Sequence, residues 1–95
     1  MQVAQTILAQ FGGNRFVAMT GAKNFVGSPN SLRFNIPTRS GPNVVVVTLE
    51  PSDTYRVDFY RVRGVKCTQV AQCQDVYAEQ LQAVFTEKTG LFTLL

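Results

Sequence analysis

The sequence predicts an α+β domain of two layers, in which an antiparallel β-meander of four or five strands carries the helices of both chain ends on one face (α-β(4-5)-α). Three observations lead there. Apolar residues recur at helical spacing near both ends, at Val3, Ala4, Ile7, Leu8 and Phe11 and again at Tyr77, Ala78, Leu81, Val84 and Phe85. Between them, residues 31–36 and 54–63 alternate apolar and polar side chains, the period of a half-buried strand. Clusters rich in Gly and Pro punctuate these stretches at the short intervals a meander needs.

The first helix covers residues 2–11, and Gly12-Gly13 supplies the backbone angles of its stop. Residues 16–19 are a short apolar run between turn formers and read as a first strand. Residues 20–24 then form a turn, Phe25-Val26 anchors a loop, and Gly27-Ser28-Pro29-Asn30 breaks the chain. In residues 31–36, Leu32, Phe34 and Ile36 share one face and Arg33 and Asn35 the other. A loop over residues 37–43 follows. Residues 44–49 are apolar on both faces and rich in β-branched side chains, which marks a central strand with cover on both sides or a partner on one.

After a turn at Glu50-Pro51-Ser52-Asp53, Tyr55, Val57 and Phe59 share one face and Arg56, Asp58 and Tyr60 the other. That phase would send Arg61 and Arg63 into the core, so the strand bulges or outruns the core edge near Tyr60. Gly64 turns the chain into a last strand over residues 65–71. Asp75 is the N-cap candidate of the second helix, Glu79 and Lys88 suit its dipole, and Thr89-Gly90 stops it. Leu91-Phe92-Thr93-Leu94-Leu95 is an apolar tail, expected to pack on the domain or join an oligomer interface.

A chain of 95 residues buries only about 60–65% of its unfolded surface, which suits one domain over residues 1–95 and leaves little room for a deep cavity. Its 45% apolar and 16% charged residues are those of a folded globule. No basic start followed by an apolar run opens it, and no segment is long and apolar enough to span a membrane, so a cytoplasmic protein with reduced Cys67 and Cys73 is expected.

Histidine is absent, which removes the usual general base and the usual metal ligand, and six carboxylates are scattered. Gly21-Ala22-Lys23 fails as a phosphate loop: its spacing is wrong and no Ser or Thr follows the lysine. The expectation is a non-enzyme without cofactor or metal. The net charge of +3 is modest, and its one local concentration is in residues 56–66. From there Arg56, Tyr60, Arg61, Arg63 and Lys66 could meet a protein, or nucleic acid through phosphate contacts and stacking. Arg15, Lys23 and Asn24 are the residues of the 12–25 segment that packing explains least, and they complete the set of partner-binding candidates. The apolar Val44–Leu49 strand and the tail also allow a homodimer.

Several segments carry a family resemblance. They are Gly12-Gly13-Asn14-Arg15-Phe16, the run Ala18-Met19-Thr20-Gly21-Ala22-Lys23-Asn24-Phe25, Asp53-Thr54-Tyr55, Tyr77-Ala78-x-Gln80-Leu81-Gln82, and Phe85-Thr86-Glu87-x-Thr89-Gly90-Leu91. Together these resemble a family of small, functionally uncharacterised proteins of bacteriophages, prophages and other bacterial mobile elements. The resemblance spans nearly the whole chain and brings no catalytic residue or cofactor. It implies an accessory protein that acts by binding a host protein, host-defence machinery such as CRISPR effectors included.

Overall fold

Val3–Phe11 forms helix α1, with Ala4, Ile7 and Phe11 buried at the expected spacing. Its end is a Schellman stop: Gly12 N–H donates to Ala9 O (3.1 Å) and Gly13 N–H to Leu8 O (3.0 Å). The structure, a computed structural model, describes residues 3–38 and 41–91.

The stretch expected as a first strand is instead a second helix, α2, over Asn14–Thr20. A short apolar run fits either period. Burial decides for the helix, because Phe16 and Thr20, one turn apart, face the core while Ala18 is exposed. Thr20 Oγ1 donates to Phe16 O at 2.7 Å, and Gly21, at φ 72°, closes the helix by donating to Val17 O.

The five strands are β1 (Lys23–Ser28), β2 (Ser31–Asn35), β3 (Val44–Leu49), β4 (Tyr55–Arg63) and β5 (Lys66–Val76). They form one antiparallel sheet in chain order, β1-β2-β3-β4-β5. The first strand thus lies where a turn and an anchored loop were expected, and only Pro29-Asn30 remains as the turn to β2. Its alternation is masked in the sequence by a bulge. Lys23 pairs with Asn35 but Val26 with Arg33, so β1 carries an extra residue, and Asn24 adopts φ 58° there.

The three α-helices of the described residues lie on one face. Leu32, Val47 and Val57 align across β2, β3 and β4, as do Phe34, Val45 and Phe59, and these rows are buried beneath them. Phe11, Phe16, Phe34 and Phe85 meet there in edge-on and tilted pairs, with ring centroids 4.9–6.2 Å apart.

The disturbance expected near Tyr60 is present, and it lies on the partner strand. Phe59 pairs with Ala71 and Tyr60 with Gln69, so Val70 of β5 is the extra residue, while β4 stays in register with β3. Arg61 does outrun the core edge, where its Nη1 donates to Thr38 O (3.2 Å) and Gly41 O (2.9 Å). Asn43 continues the sheet beyond β3 with its side chain, accepting from Val62 N–H (2.8 Å) and donating to Val62 O (2.9 Å).

Asp75 does not cap a helix. It lies in β5 at a second bulge with φ 55°. The chain enters the last helix through Tyr77, whose N–H donates to Gln80 Oε1 (3.0 Å), and a 3₁₀ turn at Ala78–Gln80. Helix α3 (Leu81–Thr89) buries Leu81 and Phe85 and ends at Gly90, φ 77°. Tyr77, expected in its buried stripe, is 55% exposed. Gln82 Nε2 ties α3 to the end of α1 by donating to Phe11 O at 2.9 Å. Leu91 packs on the core, and residues 92–95 of the expected tail lie outside the described residues. Among the described residues no helix is long and apolar enough to cross a membrane.

Candidate interaction surface

Among the described residues, the second face of the sheet carries no helix. Strand alternation assigns it Arg33 from β2, Val44, Val46 and Thr48 from β3, and Arg56, Asp58, Tyr60 and Val62 from β4. From β5 it takes Cys67, Gln69, Gln72 and Gln74. The Val70 bulge makes this set. Gln69 and Gln72, three apart, would face opposite sides of a regular strand, and the extra residue restores both to one side. It also separates the free thiols: Cys67 stands exposed on this face, while Cys73 packs against the core on the other.

Asp58 is the polar centre of the face, with its side chain only 6% exposed. Its Oδ1 accepts from Gln69 Nε2 (2.8 Å) and Gln72 Nε2 (2.7 Å), and its Oδ2 from Arg56 Nε (3.2 Å). Arg56 also pairs with Glu50 (3.2 Å), and Gln74 Nε2 donates to Gln72 Oε1 (2.9 Å). A buried carboxylate held by three donors is a satisfied structural hub.

Beside this network lies a cavity of about 210 Å³ lined by Arg33, Val44, Val46, Tyr60, Val62 and Cys67. Its floor is apolar and its charged group is Arg33, which is exposed and forms no ion pair among the described residues. A wider recess of about 420 Å³ opens at the other end of the sheet, between Glu50, Pro51, Ser52, Arg56, Gln74 and Asp75. Among the described residues no three His, Cys, Asp or Glu side chains gather as metal ligands would.

The residues singled out in the sequence do not form one site. Arg15 is exposed on α2, and Lys23 and Asn24 are exposed at the start of the edge strand β1. That edge lies three strands from β4, about 14 Å at ordinary strand spacing. Of the basic strand, Arg56 and Tyr60 share the uncovered face. Arg61 and Arg63 point to the other side by alternation, and Arg61 is engaged with the carbonyl oxygens of Thr38 and Gly41. Arg63 and Lys66 pair across the exposed end of the β4–β5 hairpin, where Gly64 takes φ 59°.

Sequence reasoning did not single out Arg33, Val44, Val46, Val62 and Cys67 as site residues, and marked Val44 and Val46 only as part of an apolar strand with room for a partner on one face. The signal for the first three was in the alternation itself: each is out of phase with a core residue on its strand. Comparison with family models, with curated proteins and with solved structures finds no match.

Proposed function

We propose that the chain is a non-catalytic protein-binding module that meets its partner with the uncovered face of the sheet. The observation that carries this reading is the apolar cavity between Arg33 and Tyr60, set beside a hydrogen-bonded polar network on a sheet face that no helix of the described residues covers. An apolar centre with a hydrogen-bonded rim is the anatomy of a protein interface. Following the family resemblance, the partner is a host protein in the bacterial cytoplasm, and a component of a defence complex is the class that resemblance favours.

The alternative, nucleic-acid binding along residues 56–66, draws less support. Arg56 is neutralised by Glu50 and Asp58, and Arg61 is committed to carbonyl oxygens. Arg63 and Lys66 at the hairpin end are what remains for phosphate.

Affinity capture from bacterial lysate tests the reading, with tagged wild type and Val46→Asp compared. A defined protein retained by wild type and lost by the variant is expected. Capture of no protein from any host, together with oligonucleotide binding that weakens steeply with salt, would sink it. Light scattering reports in the same experiment whether the face instead closes a homodimer.

A further inference from the structure

We propose that the cavity beside Arg33 takes an apolar side chain of an acidic peptide segment, with a neighbouring carboxylate of that segment paired to the Arg33 guanidinium. This inference rests on the protein-binding reading and names the chemistry of the partner.

Charge complementarity identifies the occupant. The ionic groups of the face divide into two sets. Arg56, Asp58 and Glu50 satisfy one another, and Asp58 also accepts from two glutamines. Arg33 stands outside this set. It shares a cross-strand row with Asp58, two strands away, but the Asp58 oxygens are occupied. The cavity therefore presents an apolar floor of Val44, Val46 and Val62 and, at its margin, the guanidinium of Arg33, which no carboxylate of the described residues compensates. A guanidinium is a planar fork that matches a carboxylate, and the low-dielectric valine floor strengthens such a pair.

The sheet edges argue for approach to the face. An added strand needs a regular row of free N–H and C=O groups. Edge strand β1 is bulged at Asn24, and edge strand β5 is bulged at Val70 and Asp75. Bulged edges resist strand addition. The cavity lies on the face of the sheet, lined by side chains of β2, β3, β4 and β5, and is reached from above the sheet.

Selection from a displayed library of random dodecapeptides on the intact chain tests this, with enriched peptides measured by fluorescence anisotropy. Expected are peptides with an aromatic or aliphatic residue within two positions of Asp or Glu. Arg33→Gln should weaken them about tenfold. Arg33→Lys should recover part of that loss, and Lys88→Gln, which removes the same charge from α3, should leave affinity unchanged. Amide shifts in NMR should map bound peptide to Val46, Tyr60, Val62 and Cys67. No enrichment of such peptides, equal binding to Arg33→Gln, or shifts confined elsewhere would overturn the inference, as would preferential binding of oligothymidylate at the same residues. A lysate partner that binds Arg33→Gln as tightly as wild type would leave the protein-binding reading standing and remove this one.

Discussion

The two faces of the sheet share one backbone and are built by different physics. The helix-covered face is a block of fully buried rings and aliphatic side chains, Phe11, Phe16, Phe34, Phe59 and Phe85 with Val45, Val47 and Val57 between them. The bare face, one residue out of phase on the same strands, is held by directional contacts: three donors on Asp58, an Arg56–Glu50 pair and a chain of glutamine amides. Burial of apolar area is non-directional and large, whereas partly exposed polar contacts contribute little each but set positions. The covered face therefore carries the fold, and the bare face carries a pattern that can recognise a partner.

The largest effect should come from the covered face. Phe34 is fully buried, with ring neighbours Phe11, Phe16, Phe25 and Phe85. Phe34→Ala removes the middle of that cluster and should cost about 3–5 kcal/mol in urea unfolding. Against a total of about 5–15 kcal/mol for a domain, that approaches unfolding. Val46→Ala, on the partly exposed side of the neighbouring strand, should cost about 1 kcal/mol. Equal losses would break the division between the faces.

The seam between helix and sheet comes next. A Cβ on Gly27 would stand 2.9 Å from the Ala4 Cβ, so α1 lies against β1 with only hydrogen between them. Gly27→Ala must push the helix away and should cost about 1–3 kcal/mol, read by thermal unfolding. A neutral result would mean that α1 rides loosely on the edge strand, and that the covered face is less rigid than its buried rings imply.

How legible the two faces were in the sequence follows from the same contrast. Alternation placed Leu32, Phe34, Tyr55, Val57 and Phe59 on the covered face, because burial repeats at the strand period. It failed where local geometry breaks the period. Residues 16–19 resemble a strand until Phe16 and Thr20 are seen to bury together one helical turn apart. Asp75 resembles an N-cap because aspartate tolerates both that position and the positive φ of a bulge. The bare face was harder to read. Gln69 joins Gln72 and Gln74 on this side only because Val70 is extra, and a bulge leaves no compositional mark. Arg33 was visible as a polar residue between two core residues, but its lack of a partner needs the third dimension.

Within the bare face, Asp58 should matter more than any cation. Asp58→Asn keeps the shape but turns an N–H₂ toward one of its present donors, either a glutamine amide or Arg56. A loss of about 1–2 kcal/mol in urea unfolding is expected, with broadened side-chain amide signals of Gln69 and Gln72 in NMR. An unchanged stability would show that the network is decoration on a sheet held from the other side alone.

Arg33→Gln should have the smallest effect on stability and divides the two faces most sharply. The residue is exposed and has no ion pair among the described residues, and its β2 neighbours Leu32 and Phe34 make the packing contacts. Exposed substitutions of this kind stay within about 0.5 kcal/mol. The same change should weaken acidic peptides about tenfold. Such a pair of results cannot come from a residue whose role is to fold the domain, because a folding role would move stability first and binding only through it. If instead Arg33→Gln lowered stability by more than about 1 kcal/mol and lowered binding in proportion, the bare face would be a second structural surface. The partner would then have to be sought at the exposed basic end of the β4–β5 hairpin.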